Sequence, residues 1–372
     1  MKTKAVIIIP TYNEQDSIAQ TIHALENVFI SIQKHEMSIL IFDSASTDQT
    51  QNIIQQLQKK YLNIYFACEP KKSGLGSAYA QAIQYAIKEL KADVVVEFDA
   101  DGSHQPKYIP AMLDLLQNKA DVVVGSRYVK GGSIPKDWGF HRKLLSCGGN
   151  IIARLFLTWK YKDFTSGFRA TKTSYLKKIN LDKLLSKGYA YKIHLFWLLH
   201  KLNAVIAEYP IEFIDREKGY SKLPRNNVMD SLRVVITLRF LELKRYIKVG
   251  MVGAVGAAVQ FSIFNLLRLK FPPAAANLIG VECAIISGFI LNNHFSFKDR
   301  KFQKHHGLKF WLKKFFHFNS VSLLSLIIQT GIVWLGTHFL GRGFWIENSL
   351  VCVGIFLASI INYKFYSQFI WK

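Results

Sequence analysis

The chain has few cysteines and few acidic residues for its length. Its four cysteines are spread over 372 residues and form no C-x-x-C pair, which argues against a disulfide framework and against a thiolate zinc site. Charged residues make up only 20% of the chain, while hydrophobic residues make up 50%. This balance excludes a disordered chain and is too apolar for an average soluble enzyme, so we expect membrane contact.

Acidic residues number 26 against 48 basic ones, which gives a net charge of +22 at neutral pH. Such a surplus predicts a partner that bears phosphate groups, and nucleic acid, anionic lipid and a nucleotide substrate all fit that description. We expect no signal peptide, because the first apolar run, residues 5–9, stops at Pro10. The N-terminus instead predicts a cytosolic β-strand.

Short apolar runs alternate with helical stretches over residues 1–210. The runs lie at residues 5–9, 38–42, 93–98 and 121–125, and they are typical of strands that are buried on both faces of a sheet. This alternation predicts an α/β domain with a mostly parallel sheet. Because the chain is long for one domain, we also expect a boundary to a second domain.

Four apolar stretches follow residue 245, at residues 249–267, 273–297, 315–340 and 343–363. Each is long enough to cross about 30 Å of hydrocarbon, and together they predict four transmembrane α-helices. Phe and Trp side chains near their ends suggest an aromatic belt at the membrane interface. One loop is rich in basic residues, namely Lys298, Arg300, Lys301, Lys304, Lys309, Lys313 and Lys314.

By the positive-inside rule this basic loop is cytoplasmic, and an even number of spans returns both termini to the cytoplasm. Residues 227–245 place apolar side chains on one face of a helix and basic ones around the rest. This pattern predicts an amphipathic interfacial helix that leads into the bilayer. A core helix of the soluble domain is the alternative.

Two acidic residues, Asp99 and Asp101, follow the third strand in the segment 97-EFDADGSH. Open α/β sheets bind ligands beyond the carboxyl ends of their strands. Two carboxylates there suit a hard divalent cation such as Mg²⁺ or Mn²⁺, completed by water and by a substrate diphosphate. Two solvated acids in a turn are the ordinary alternative.

Further polar motifs follow the neighbouring strands: 10-PTYNE, 43-DSASTDQT and 71-KKSGLGSAYAQA. The Gly74 and Gly76 pair lacks the full G-x-G-x-x-G pattern of a dinucleotide site. We therefore expect it to mark the start of a helix close to a nucleotide.

Together with 125-GSRYVKGG, 163-DFTSGFR and 213-FIDREKGYSKL, these motifs resemble the dolichol-phosphate (polyprenol-phosphate) mannosyltransferases of glycosyltransferase family 2, over about residues 4–225. The segments 247-IKVGMVGAVGAAVQF, 288-GFILNNHFSFK and 362-NYKFYSQFIWK resemble the GtrA-like four-helix membrane domain. The resemblance implies a cytoplasmic GT-A (Rossmann-like) domain at residues 1–226, an interfacial helix at 227–245 and a GtrA-like domain at 246–372.

The implied reaction is transfer of a hexose, mannose from GDP-mannose in the type cases, to a polyprenyl (dolichyl or undecaprenyl) phosphate at the cytoplasmic membrane face. The resemblance implies inversion and dependence on Mg²⁺ or Mn²⁺. UDP-glucose or another nucleotide sugar is an alternative donor. A membrane domain that also translocates the lipid-linked sugar is an alternative role, and we expect no nucleic-acid partner.

The resemblance also implies the site residues. Nucleotide-sugar contacts fall to Pro10, Tyr12, Glu14, Asp43, Ser44, Asp99, Ala100, Asp101, Arg127, Arg216 and Lys222. The implied metal residues are Asp99, Asp101 and Ser103, and the implied acceptor-phosphate residues are Arg142 and Ser146. Asp101, Arg127 and Arg142 are the implied catalytic residues.

Three positions depart from the usual family pattern, one of them Ser103, which sits where some relatives have a glutamine ligand. Ser44 stands where the family often has a second aspartate, and because that aspartate often faces the base, guanine and uracil both stay open. His194 occupies the position of a family glutamate in 188-GYAYKIH. A buried, hydrogen-bonded histidine is favoured over a pH-dependent catalytic role.

Overall fold

The computed structural model describes residues 2–215, 226–267, 270, 273–302, 307–341 and 344–371. The chain divides into two compact units, Met1–Arg239 and Phe240–Lys372. The division falls inside the segment predicted to be an interfacial helix. Arg216 and Lys222 lie outside the described residues.

A seven-stranded sheet forms the centre of the first unit. Its strands are β1 Thr3–Thr11, β2 His35–Asp43, β3 Ile64–Cys68, β4 Val94–Glu97, β5 Val122–Ser126, β6 Arg169–Lys172 and β7 Ile206–Pro210. The order is β3-β2-β1-β4-β6-β5-β7. All pairings are parallel except those of β6, which runs antiparallel to β4 and β5. The predicted α/β class is confirmed.

The helices of this unit are α1 Ile18–Phe29, α2 Thr50–Lys60, α3 Leu75–Lys88, α4 Ile109–Asn118, α5 Phe140–Phe156, the short α6 Thr173–Leu176 and α7 Tyr191–Lys201. Successive side chains of a strand point to opposite faces of a sheet, and the unbroken apolar run of β1 fills a core on each face. Ile8 packs into one core, while Ile7 and Ile9 pack into the other. Because neighbouring strands β1 to β4 run parallel, their carboxyl ends meet along one edge of the sheet.

Helix α8 Asn226–Leu267 begins in the first unit and ends in the second, and α9 Pro273–Leu291, α10 Gly307–Leu340 and α11 Phe344–Phe365 belong to the second. α8 runs without a break through the predicted interfacial helix and the first predicted span. Residues 240–249 contain good helix formers and no proline, so nothing in the backbone stops the helix there. Among the described residues one helix, Asn227–Leu267, is long and apolar enough to cross a membrane, and the count of four spans stays a prediction.

An aromatic cluster forms the centre of the second unit. Phe297 and Trp371 are fully buried and stack with their ring centroids 4.6 Å apart, and the Trp371 indole N–H donates to Asn293 Oδ1 at 3.1 Å. Phe297 and Trp371 are among the residues predicted to form the interfacial aromatic belt; the structure shows both rings buried in the fold, and their depth in the membrane stays a prediction. Stacking on a neighbouring ring and pairing the indole nitrogen inside the fold satisfy the same amphipathic side chains.

Candidate active site

The loops that follow β1 and β2 interlock at the carboxyl edge of the sheet. The Asn13 backbone N–H donates to Ser46 Oγ at 2.9 Å, and Thr47 N–H donates to Asn13 Oδ1 at 2.9 Å. Asn13 adopts a left-handed conformation with φ 54°, which asparagine tolerates better than most residues. These bonds fix the neighbouring Tyr12 and Glu14 beside the second loop.

Asp43 lies at the end of β2 and is fully buried. Its carboxylate accepts hydrogen bonds from Thr11 Oγ1 at 2.8 Å, Ser46 Oγ at 2.6 Å and Gln51 Nε2 at 2.7 Å. Pro10 lies beside it, paired with Phe42 across β1 and β2. The Asp43 carboxylate thus connects the end of β1, the loop after β2 and helix α2.

Ser44 lies beside a carboxylate that no sequence motif pointed to, that of Glu69, the residue directly after β3. Glu69 is buried and accepts from Ser73 Oγ at 2.5 Å and from Gln81 Nε2 at 2.9 Å, and the Ser44 side chain is also hydrogen bonded to it. Burial raises the pKa of Glu69, but the bonds from Ser73, Ser44 and Gln81 hold it below its ordinary value. An acidic residue directly after a strand was the available signal.

The glycine turn before α3 packs against the segment that precedes α7. A side chain at Gly74 would meet the Lys187 carbonyl oxygen at 2.5 Å, and Gly74 has φ 109°. The Gly76 N–H donates to the same carbonyl at 2.8 Å. Because the Gly76 N–H is already bonded to the Lys187 carbonyl, the glycines allow the start of α3 to pack closely against the segment before α7. This is in addition to any role near a nucleotide.

Asp99 and Asp101 lie in the turn that follows β4. Tyr79 Oη donates to Asp99 Oδ1 at 3.0 Å, while Ser103 Oγ donates to Asp101 Oδ1 at 2.6 Å. The carbonyl of Ala100, between the two acids, accepts from Thr21 Oγ1 of α1 at 2.8 Å. The structure therefore brings the three residues predicted to hold a metal, Asp99, Asp101 and Ser103, into one braced turn.

Two buried basic side chains that no sequence motif pointed to, those of His104 and Lys192, lie beside Asp99. His104 Nδ1 accepts the Asp99 backbone N–H at 3.0 Å, so its Nε2 carries the proton, 3.6 Å from Asp99 Oδ2. Lys192 Nζ lies 3.7 Å from the same oxygen. Burial lowers the pKa of both side chains, but for Lys192 the charge of Asp99 outweighs it and raises the pKa above its ordinary value. His104 belongs to the segment 97-EFDADGSH and Lys192 to 188-GYAYKIH, where neighbouring residues gave the predicted roles.

Arg127, predicted to contact donor phosphate, is sealed inside the first unit. Its Nε and Nη2 donate to the two carboxylate oxygens of Asp163, each at 2.8 Å, and Nη2 also donates to Thr165 Oγ1 at 2.7 Å. The side chains of Arg127 and Asp163 are only 6% and 0% exposed. The structure makes this pair a link between the end of β5 and the loop before β6.

Arg142 and Ser146, predicted to hold the acceptor phosphate, lie one turn apart on α5 and so share a face of the helix. Arg142 pairs with Asp215, with Nη1 to Oδ2 at 2.9 Å and Nη2 to Oδ1 at 3.1 Å. Its guanidinium also lies 4.1 Å from the ring centre of Trp138. Ser146 Oγ is hydrogen bonded to Tyr128 Oη at 2.6 Å.

His194 is buried in α7, where its Nδ1 accepts the Leu185 backbone N–H at 2.9 Å. Burial lowers its pKa to about 4, so the imidazole is neutral at physiological pH. This geometry agrees with the favoured interpretation of a buried, hydrogen-bonded histidine.

The oxygen donors of the Asp99 turn suit Mg²⁺ or Mn²⁺, because these hard cations use one or two carboxylates together with water and substrate phosphate. The described residues contain no group of three His, Cys, Asp or Glu side chains that could hold a metal by themselves. A cation held by Asp99 and Asp101 would complete its coordination with water and with oxygens of a substrate diphosphate.

Comparison with known proteins gives the family. Residues 6–180 match the model of glycosyl transferase family 2, and residues 248–371 match the GtrA/DPMS transmembrane domain. Dolichol-phosphate mannosyltransferase of Pyrococcus furiosus is 30% identical over 99% of both chains. Undecaprenyl-phosphate mannosyltransferase of Micrococcus luteus is 36% identical over 59% of this chain and 87% of its own.

A solved structure of glucosyl-3-phosphoglycerate synthase from Mycobacterium tuberculosis, in complex with Mn²⁺, UDP and glucosyl-3-phosphoglycerate, is also similar. It is 19% identical, with a TM-score of 0.46 over 64% of this chain and 78% of that one. The full-length match to the Pyrococcus furiosus protein decides the assignment and confirms the resemblance drawn from the motifs. The chain is a glycosyltransferase that belongs to the dolichol-phosphate mannosyltransferase family, with a family 2 catalytic domain followed by a GtrA-type transmembrane domain.

Proposed function

We propose that the enzyme transfers mannose from GDP-mannose to a polyprenyl phosphate, with inversion and with Mg²⁺ or Mn²⁺ as cofactor. The observation that carries the proposal is the braced turn of Asp99 and Asp101 at the carboxyl edge of the sheet. Full-length similarity to a protein named dolichol-phosphate mannosyltransferase supports the choice of sugar and acceptor.

On the donor side, Asp99 and Asp101 would hold the cation, with Ser103 in reach through its bond to Asp101. When bound, the cation supplies positive charge that stabilises the leaving diphosphate. Tyr79 and Ser103 fix the two carboxylates, so little reorganisation is needed when the donor arrives. Among these residues, Asp101 is the one whose substitution we expect to reduce sugar transfer most.

The nucleoside would lie along the interlocked loops after β1 and β2. We assign its contacts to Pro10, Tyr12, Glu14, Ser44 and the backbone of Ala100. Asp43, whose buried carboxylate is already hydrogen bonded to Thr11, Ser46 and Gln51, would act by holding these loops in place. Arg127 acts indirectly in this proposal, because Asp163 occupies two edges of its guanidinium. Arg216 and Lys222 would contact or close over the donor phosphates.

On the acceptor side, Arg142 and Ser146 would bind the phosphate of the lipid. A phosphate monoester with a second pKa of about 6 is already an anionic nucleophile at neutral pH. One of its oxygens attacks the anomeric carbon as the bond to the GDP oxygen breaks, so no general base and no nucleophilic side chain are required. A single in-line displacement converts an α-linked donor into a β-linked product.

We further propose four membrane spans with both termini and the catalytic domain in the cytoplasm, where nucleotide sugars are available. The match of residues 248–371 to a transmembrane-domain family supports a membrane domain here. Its proposed task is to anchor the enzyme beside its lipid substrate. Sugar flipping by the pure protein in sealed vesicles would show translocation in addition.

The experiment measures transfer of radiolabel from GDP-mannose, UDP-glucose and other nucleotide sugars to organic-extractable polyprenyl phosphate, with Mn²⁺ or with EDTA. Label from GDP-mannose alone, abolished by EDTA, is expected. Asp101→Asn should reduce transfer by about 100-fold or more, whereas Asp114→Asn, at a surface position 61% exposed, should not. Label from another donor would replace the proposed sugar, and an α-linked product would rule out single displacement.

A further inference from the structure

A lysine amine lies buried beneath the turn that holds Asp99 and Asp101. Lys192, in the first turn of α7, is 1% exposed, and its Nζ lies 3.7 Å from Asp99 Oδ2. Lysine is almost never fully buried unless its charge is paired. Asp99 is therefore already the partner of a fixed cation before any ligand arrives.

The surroundings keep this amine where it is. A Cβ atom at Gly167 would overlap Lys192 Nζ, so the amine packs directly against the backbone of the 163-DFTSGFR motif. The Tyr189 ring covers it from another side, with its centre 4.5 Å from Nζ. Lys192 thus has little room to withdraw from Asp99 when a second cation approaches.

A divalent cation bound to Asp99 would lie within a few ångströms of this amine, and two like charges that close together repel each other. The free enzyme should therefore bind the cation weakly. A nucleoside diphosphate brings several negative charges to the same place, and these offset the repulsion. The two ligands should then bind together far better than the cation binds alone.

We propose that Lys192 is a positioning residue that holds Asp99 in the free enzyme and makes cation binding depend on the nucleotide diphosphate. This inference rests on the proposed donor site and extends it to the order in which its ligands load. Coupling between two sites typically changes affinity by roughly 5- to 150-fold, and it is reciprocal. Mn²⁺ should consequently tighten GDP binding by the same factor by which GDP tightens Mn²⁺ binding.

The test titrates the full-length protein in detergent with Mn²⁺ and follows unbound Mn²⁺ by its electron paramagnetic resonance signal. Titrations are run without nucleotide, with GDP and with UDP, against protein-free blanks that correct for Mn²⁺ bound to nucleotide in solution. The wild-type protein should bind Mn²⁺ at least about tenfold more tightly with a nucleotide than without. Equal affinity in both conditions would overturn the inference without any variant.

Lys192→Gln removes the charge and leaves a polar side chain that is one atom shorter, and it should tighten nucleotide-free Mn²⁺ binding by about tenfold and shrink the coupling. Lys177→Gln, an exposed lysine of the same unit, should leave both values unchanged. A folded Lys192→Gln protein with wild-type Mn²⁺ affinity would contradict the proposal. No Mn²⁺ binding with either nucleotide would overturn it together with metal dependence, while sugar transfer is judged separately by the radiolabel assay.

Discussion

Two arginines that the family resemblance assigns to substrate phosphate form the same kind of ion pair in different surroundings. Arg127 and Asp163 are 6% and 0% exposed, whereas Arg142 and Asp215 are 40% and 44% exposed. Both guanidiniums contact both oxygens of their aspartate. What differs is access to water and hence to a ligand.

The difference separates a structural arginine from one that is available to a substrate. A buried pair pays a large desolvation cost and is strongly destabilised when one partner is lost. A half-exposed pair contributes between 0 and about 1 kcal/mol to folding stability. An incoming phosphate can therefore displace its aspartate with a small loss of free energy. We therefore expect changes at Arg127 to act on folding and changes at Arg142 to act on the acceptor.

The largest effect should come from breaking the buried pair. Asp163→Ala leaves the Arg127 guanidinium buried without a counter-charge, which should cost about 3–5 kcal/mol of folding free energy. Urea unfolding of the full-length protein, followed by tryptophan fluorescence, measures the loss. A variant of wild-type stability that has lost only donor affinity would instead show that Arg127 serves the substrate.

The next largest effect concerns the half-exposed pair of Arg142 and Asp215. Arg142→Gln removes charge-assisted bonds of about 1.5–3 kcal/mol to the acceptor phosphate, so the KM for polyprenyl phosphate should rise by about tenfold or more. The KM for the donor and the unfolding midpoint should stay unchanged. Lys143→Gln, at the half-buried neighbouring position on α5, is the matched control, and an equal rise there would mean that general charge matters and Arg142 does not.

A smaller change in the KM for the acceptor, of opposite sign, should follow when Asp215 of the half-exposed pair is neutralised. Asp215→Asn weakens the hold on Arg142, and because an exposed pair is worth about 1 kcal/mol or less, the KM for the acceptor should fall by no more than about fivefold. Steady-state kinetics with a short-chain polyprenyl phosphate gives this value. An increase in KM would reveal that Asp215 aims Arg142 at the phosphate.

The sequence could predict the α/β class and the turn of Asp99 and Asp101, because both follow from local patterns. The apolar residues 94–96 of β4 indicate burial on both faces of the sheet, and the acids that follow this strand must lie at the carboxyl edge. Both inferences need only neighbouring residues and the rule that parallel strands end together.

The burial of Arg127 could not be predicted, because its partner lies 36 residues away on the loop before the one antiparallel strand. Lys192 was hidden for a similar reason, since it meets Asp99 only through the packing of α7. The continuity of α8 through the predicted interfacial helix and the first predicted span could not be predicted either, because a change in side-chain polarity does not show whether the helical backbone continues. Long-range partners and continuous helices thus escape a local pattern.

The smallest effect is a pH dependence that should leave the buried pair untouched over the physiological range. Burial raises the pKa of Asp163, but Arg127 and the hydrogen bonds outweigh it and hold the pKa below the ordinary value of 3.8. A carboxyl whose pKa is lower when folded stabilises the protein above its unfolded pKa, and this contribution disappears as the pH falls through the folded pKa. The difference in unfolding midpoint between wild type and Asp163→Asn should therefore be constant from about pH 8 to 5 and narrow only below about pH 4. Thermal melts of both proteins across that range check this, and a difference that shrinks already near neutral pH would place the stabilising charge on another group.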